Sequence, residues 1–179
     1  MIKFDESEHI YKVEGRIVPS VTQIIGAVRP DKPYHGRGSA AEKGTQVHKA
    51  LQYFDEGLLD ECPEEYMGYL AAYEFFKDSA DWMPLEHNKR VYHEKLSYCG
   101  TIDVIGLYEG IPALLDFKTG QKDDSHLIQV TAYRMAIGYE IGFVLYLRQN
   151  GKFDFVPAVG AILDRQWRSH VDVYNWYKR

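Results

Sequence analysis

The chain has 179 residues, 45% of them hydrophobic, a length that fits one domain with a sizeable core. Its formal net charge of −5 argues against a protein that coats nucleic acid by bulk electrostatics, while leaving room for a local basic groove. Two cysteines, Cys62 and Cys99, exclude a disulfide framework and fall short of the four thiolates an iron–sulfur cluster needs from one chain.

Residues 2–18 alternate loosely around Glu14-Gly15 and read as a β-hairpin. The charged opening MIKFDESEH does not read as a signal peptide, and no apolar run approaches the ~20 residues of a membrane span. A reducing, cytoplasmic compartment is expected. In PSVTQIIGAV, Ser20 follows Pro19 and precedes an apolar run, the place of an N-cap for a short helix. RPDKPYHGRG is a basic loop rich in Pro and Gly, carrying Lys32, Tyr34, His35 and Arg37. The stretch 39–54 puts Val47, Leu51 and Phe54 at helical spacing. A second helix is expected over roughly 63–78, opened by Pro63 and two glutamates. The character then turns to β: one or two extended segments over 84–98, then strands at 101–108 and 111–118. A third long helix follows over 125–139, the QNG turn joins two further strands, and AILDRQWRSHVDVYNWYKR closes the chain as an amphipathic helix. The order ββ-α-α-α-βββ-α-ββ-α implies an α/β (α+β) fold with a central mixed β-sheet flanked by helices. One domain over 1–179 is expected, with hairpin and helices through residue 80 and the sheet with its helices from 81.

The stretch GTIDVIGLYEGIPALLDFKTG places Asp103, Asp116 and Lys118 inside runs that otherwise read as buried strand. Unpaired charge is costly there. Glu109-Gly110 is a two-residue hairpin turn, and 103 and 116 lie equally far from it, so they oppose each other on one face. Lys118, two residues beyond Asp116, shares that face. Two readings fit: a structural salt bridge neutralising the carboxylates, or a divalent metal held by both, with the lysine beside the attacking water.

GTID…LLDFKTG resembles the G-x-x-D…(D/E)-x-K core of the PD-(D/E)XK nuclease superfamily. GTQVHKAL is similar to the histidine motif of the RecB-like branch, QVTAYR to its Q-x-x-x-Y motif, and VPSVTQII to a segment of phage and mitochondrial genome maintenance exonucleases. The resemblance implies a restriction-endonuclease-like core and a Mg²⁺ or Mn²⁺ site with His48, Asp103, Asp116 and the Phe117 carbonyl as ligands. It makes Asp103, Asp116, Lys118, Gln129 and Tyr133 catalytic, with Glu94 as a further acidic residue. His48, read alone, is a packed or solvated helix residue, and its GTQVH context turns that reading to metal ligand. Gln129 and Tyr133, one turn apart, share a side suited to holding Lys118 or a DNA phosphate, with exposed-face residues as the alternative. Ser20 and Thr22 would contact phosphate, or Ser20 simply cap its helix. The loop with Tyr34, His35 and Arg37 suits stacking a base or guiding a single strand. His93 and His126 fall outside the family's pattern.

The activity implied is metal-dependent DNA exonuclease cleavage at DNA ends or on single strands, in phage or bacterial recombination or repair. A metal-bound water would attack the phosphorus in line and leave a 5′-phosphate. DNA is the expected partner, beside a recombinase, helicase or single-strand-binding protein, with no membrane. Structure-specific endonuclease and catalytically inactive DNA-binding module are the alternatives, and the intact Asp–Asp–Lys trio speaks against the second.

Overall fold

The computed structural model describes residues 1–6, 8–29 and 39–178. The N-terminal segment departs from the expected hairpin. It forms three antiparallel strands, β1 (Ile2–Asp5), β2 (Ile10–Val13) and β3 (Arg16–Val18). The Glu14-Gly15 turn, left-handed at both residues, joins β2 to β3. A second turn, ending in left-handed His9 (φ 52°), creates the extra strand without any glycine to announce it. Tyr11 and Val18 of this small sheet bury themselves against Cys99.

Helix α1 (Val21–Val28) starts where Ser20 was expected to cap it. Ser20 Oγ accepts from Gln23 N at 3.1 Å, while Gln23 Oε1 accepts from Ser20 N at 2.9 Å, a capping box. Helices α2 (Ser39–Asp55) and α3 (Glu64–Ser79) follow. The segment after them is one twelve-residue strand, β4 (Trp82–His93), and a turn through left-handed Ser97 leads into β5 (Tyr98–Tyr108). β5 therefore begins three residues earlier than the sequence pattern suggested. The Glu109-Gly110 turn, with φ of 50° and 77°, is the primed type that matches strand twist, and it returns the chain as β6 (Ile111–Lys118). Helix α4 (Asp124–Ile137) crosses over to β7 (Ile141–Leu147), which pairs parallel with β6. β8 (Phe153–Pro157) and helix α5 (Ala161–Tyr177) complete the chain.

The five-stranded sheet has the order β4-β5-β6-β7-β8 and is mixed, with helices on both faces. One core gathers Ile24, Ile102, Leu114, Val130, Val144 and Trp167 beneath α1, α4 and α5. The other gathers Val47, Leu51, Tyr73, Phe76, Leu115 and Leu145 beneath α2 and α3. Successive residues of β6 and β7 thus feed opposite cores, which is why their sequences are continuous apolar runs. Among the described residues no helix is long and apolar enough to cross a membrane.

Candidate active site

The β5–β6 ladder runs from Tyr108↔Ile111 to Val104↔Leu115 and stops there. Asp103 and Asp116 come next in the count but do not continue the ladder, although their carboxyls lie near enough to influence each other's charge. The Asp103 carboxylate takes over the next rung: Phe117 N donates to Asp103 Oδ2 at 2.8 Å. Lys118 Nζ lies 2.5 Å from Asp116 Oδ2. Two helices close on this strand end. Val47 and Leu51 anchor α2 in its core, and His48 beside them reaches within 3.5 Å of Asp103 Oδ2 with its Nδ1. Its ring meets Phe117 edge-on. On the other face, α4 brings Gln129, whose Oε1 accepts from Lys118 Nζ at 3.0 Å and whose Nε2 donates to Tyr133 OH at 2.9 Å.

The placement of α4 is over-determined. Asp123 caps it by accepting from Ser125 N and Ser125 Oγ, and Arg29 at the end of α1 donates to the same carboxylate at 2.8 Å. Gly138, left-handed at φ 79°, ends the helix. Buried residues surround most of α4, so Gln129 and Tyr133 are interior groups, not an exposed face. Gly100, the glycine of GTID, is there for Tyr133: a Cβ at 100 would stand 2.3 Å from its Cε1. Gly100→Ala is expected to lower stability by about 1–3 kcal/mol, the usual range for overpacking. Urea unfolding measures this.

Burial pushes the Asp116 carboxyl up to about 6; Asp103 adds to the rise and Lys118 opposes it. Burial also works against ionised Asp103, but His48, Lys118 and the Phe117 N–H together hold its carboxyl below the usual range. His48 is raised, because facing Asp103 outweighs its own desolvation. Lys118 is raised too: Asp116 and then Asp103 overcome its burial. The site thus holds one carboxyl near neutrality and one firmly ionised.

Three cavities meet here. One of 320 Å³ runs between Ser20, Thr22, Lys118, Gln129 and Tyr133, so the two N-terminal hydroxyl residues do reach the site. A second, of 460 Å³, opens on the other side of Asp103 and His48 toward Gln52 and Asn88. A third, of 380 Å³, lies between His48, Lys118, Thr119 and His126. Glu94 is not brought in. It is exposed in the β4–β5 turn and lines a separate cavity with Arg16 and Tyr92, because the turn lies five residues from Asp103 along β5. Tyr34, His35 and Arg37 lie outside the described residues.

Residues the sequence did not single out also border the site. Tyr11 OH and Thr101 Oγ1 share a hydrogen bond of 2.7 Å in the cavity beside Lys118. His126, set aside on pattern alone, lines the cavity with Lys118, and burial followed by that cation lowers its pKa to about 4. Thr101 lies inside the GTID motif, which could have drawn notice to it; nothing in the sequence pairs Tyr11 with it.

The donor set suits a hard divalent cation. Asp116 Oδ2 is buried and, beyond its contact with Lys118, accepts no hydrogen bond of normal geometry. A buried carboxylate oxygen whose partner is a lone ammonium still has a lone pair to give a cation. Among the described residues no three His, Cys, Asp or Glu side chains stand together as a ready-made coordination sphere.

No family model and no curated protein matches the chain. Three solved structures are similar in chain path. LHK-Exo in complex with dAMP has a TM-score of 0.49 at 10% identity, covering 89% of this chain and 87% of that one. The alkaline exonuclease LHK-Exo from Laribacter hongkongensis has 0.49 at 9%, covering 88% and 86%. The structure of SSO0001 has 0.39 at 13%, covering 90% and 79%. Likeness at this level concerns chain path and does not extend to activity.

Proposed function

We propose that the chain is a metal-dependent deoxyribonuclease of the PD-(D/E)XK type, with residues 1–179 acting as one unit, that works as an exonuclease at DNA ends or on single strands. The observation that carries this reading is the Asp116–Lys118 pair, 2.5 Å apart, with Lys118 lining two cavities and Asp103 a third. A pair retained for stability alone would hold its carboxyl down. Here burial raises the carboxyl even though Lys118 opposes the rise, so the pair is held against a desolvation cost.

Asp103, Asp116, His48 and the Phe117 carbonyl are the groups that would hold Mg²⁺ or Mn²⁺, with the imidazole favouring Mn²⁺. When bound, the metal supplies neutralisation of phosphate charge and a more acidic water. Lys118 Nζ is held between Gln129 Oε1 and Asp116 Oδ2. From there its ammonium would hold a phosphate oxygen or stabilise the negative charge on a water that gives up its proton. Tyr133 fixes Gln129, so the chain Tyr133–Gln129–Lys118 sets the position of the ammonium. Ser20, Thr22 and Thr101 offer hydroxyls along the 320 Å³ cavity to the backbone of a strand lying across the site. Tyr34, His35 and Arg37 are the proposed guide for that strand. The setting, phage or bacterial recombination or repair beside a recombinase, helicase or single-strand-binding protein in the cytoplasm, is carried by the family resemblance alone.

The test is digestion of matched linear and circular single-stranded DNA with Mn²⁺. The linear strand should shorten from an end while the circle survives, and chelation should stop the reaction. Cutting of the circle would make the chain an endonuclease. Binding of both substrates without cleavage would leave it a DNA-binding module and remove the enzymatic reading.

A further inference from the structure

In an unbroken strand, residues two apart face the same side. β5 breaks this rule at one place: Ile102 packs in the core under α1, α4 and α5, whereas Val104 packs in the core under α2 and α3. The chain rotates at Asp103. On the edge strand, β4 pairs with β5 as His87↔Val104 and again as Lys89↔Ile102, in the same register on both sides. The rung between them, Asn88 opposite Asp103, is missing. Asn88 is left-handed there, with φ 53° in mid-strand, a conformation that asparagine tolerates and β-branched residues do not. Asn88 Nδ2 donates to Gln52 Oε1 at 2.8 Å, and Gln52 lies one helical turn beyond His48 on α2. Asp103, released from its β4 rung, instead turns its carboxylate toward β6 and takes the Phe117 N–H at 2.8 Å.

We infer that Asn88 is a positioning residue: its left-handed backbone interrupts the β4–β5 ladder so that the Asp103 carboxylate points across to Phe117 and into the site. Its bond to Gln52 ties α2, and with it His48, to the same interruption. The consequence for metal capture rests on the nuclease reading; the aim of Asp103 does not.

Asn88 is exposed, so substitutions there should fold. Asn88→Val drives residue 88 back to extended backbone and restores the missing rung, whereas Asn88→Gly keeps the left-handed conformation without steric penalty. The experiment compares wild type, Asn88→Val and Asn88→Gly by amide hydrogen exchange in metal-free protein, then by Mn²⁺ titration. With Asn88→Val, exchange of the Phe117 amide should speed up about tenfold while Leu114 and Leu115 are unchanged. Mn²⁺ affinity should fall by a similar factor, whereas Asn88→Gly should keep wild-type Phe117 exchange and lose only the smaller part of Mn²⁺ affinity that the bond to Gln52 supplies through His48. Unchanged Phe117 exchange in Asn88→Val would overturn the inference. So would equal damage from Asn88→Gly. The expected exchange pattern with no Mn²⁺ binding by any of the three proteins would support the positioning role and count against the metal reading alone.

Discussion

Lys118→Met should reduce cleavage by roughly 10²–10⁴-fold while leaving the protein folded. The thioether side chain keeps the apolar stem that a buried lysine packs and removes only the charge and its donors. Lys118 Nζ contacts Asp116 and Gln129, and none of these partners can substitute for an ammonium beside a phosphate. The loss of stability should be small, because the stranded Asp116 carboxyl, already titrating at about 6, takes up a proton once its cation is gone. Lys118→Arg should not rescue: a planar fork does not fit a site where Nζ stands 2.5 Å from one oxygen and 3.0 Å from another. Initial rates at saturating Mn²⁺, with urea unfolding alongside, separate the two effects. Full turnover in Lys118→Met would take the lysine out of the chemistry.

Asp116→Asn should abolish Mn²⁺-dependent cleavage and at the same time make the protein less sensitive to rising pH. The carboxyl titrates at about 6 in the fold and near 3.9 when unfolded, so between those values the folded state holds a proton that the unfolded chain has released. Stability from this group is therefore full below about pH 4, falls as pH rises to about 6 and stays lowered above it. The difference is about 2–3 kcal/mol in metal-free protein. The asparagine has no such titration. The two proteins should be similarly stable near pH 4, and the variant should be the more stable at pH 7. A variant less stable than wild type at both pH values would show that the pair serves the fold.

The carboxylates were partly legible in the sequence: the primed Glu109-Gly110 turn fixes the register as far as Val104↔Leu115, but the ladder ends before Asp103, whose carboxylate takes the Phe117 N–H instead. The apolar runs of β6 and β7 likewise announced strands covered on both faces. What the helices contribute was not legible from pattern, since nothing local says that His48 lands on Asp103 or Gln129 on Lys118; the motif resemblance supplied both. Glu94 failed for a related reason. It is close to Asp103 in the chain, but the turn that carries it points away along the strand. The third N-terminal strand and the interruption at Asn88 were hidden because His9 and Asn88 adopt left-handed backbone without being glycine.

Whether the two acids and the imidazole capture one cation is tested most directly by anomalous diffraction from crystals soaked in Mn²⁺. The account predicts a single strong peak at the cluster of Asp103, Asp116 and His48, absent from Asp116→Asn. A wild-type crystal in which the manganese binds elsewhere, with the Asp116–Lys118 contact undisturbed, would contradict it.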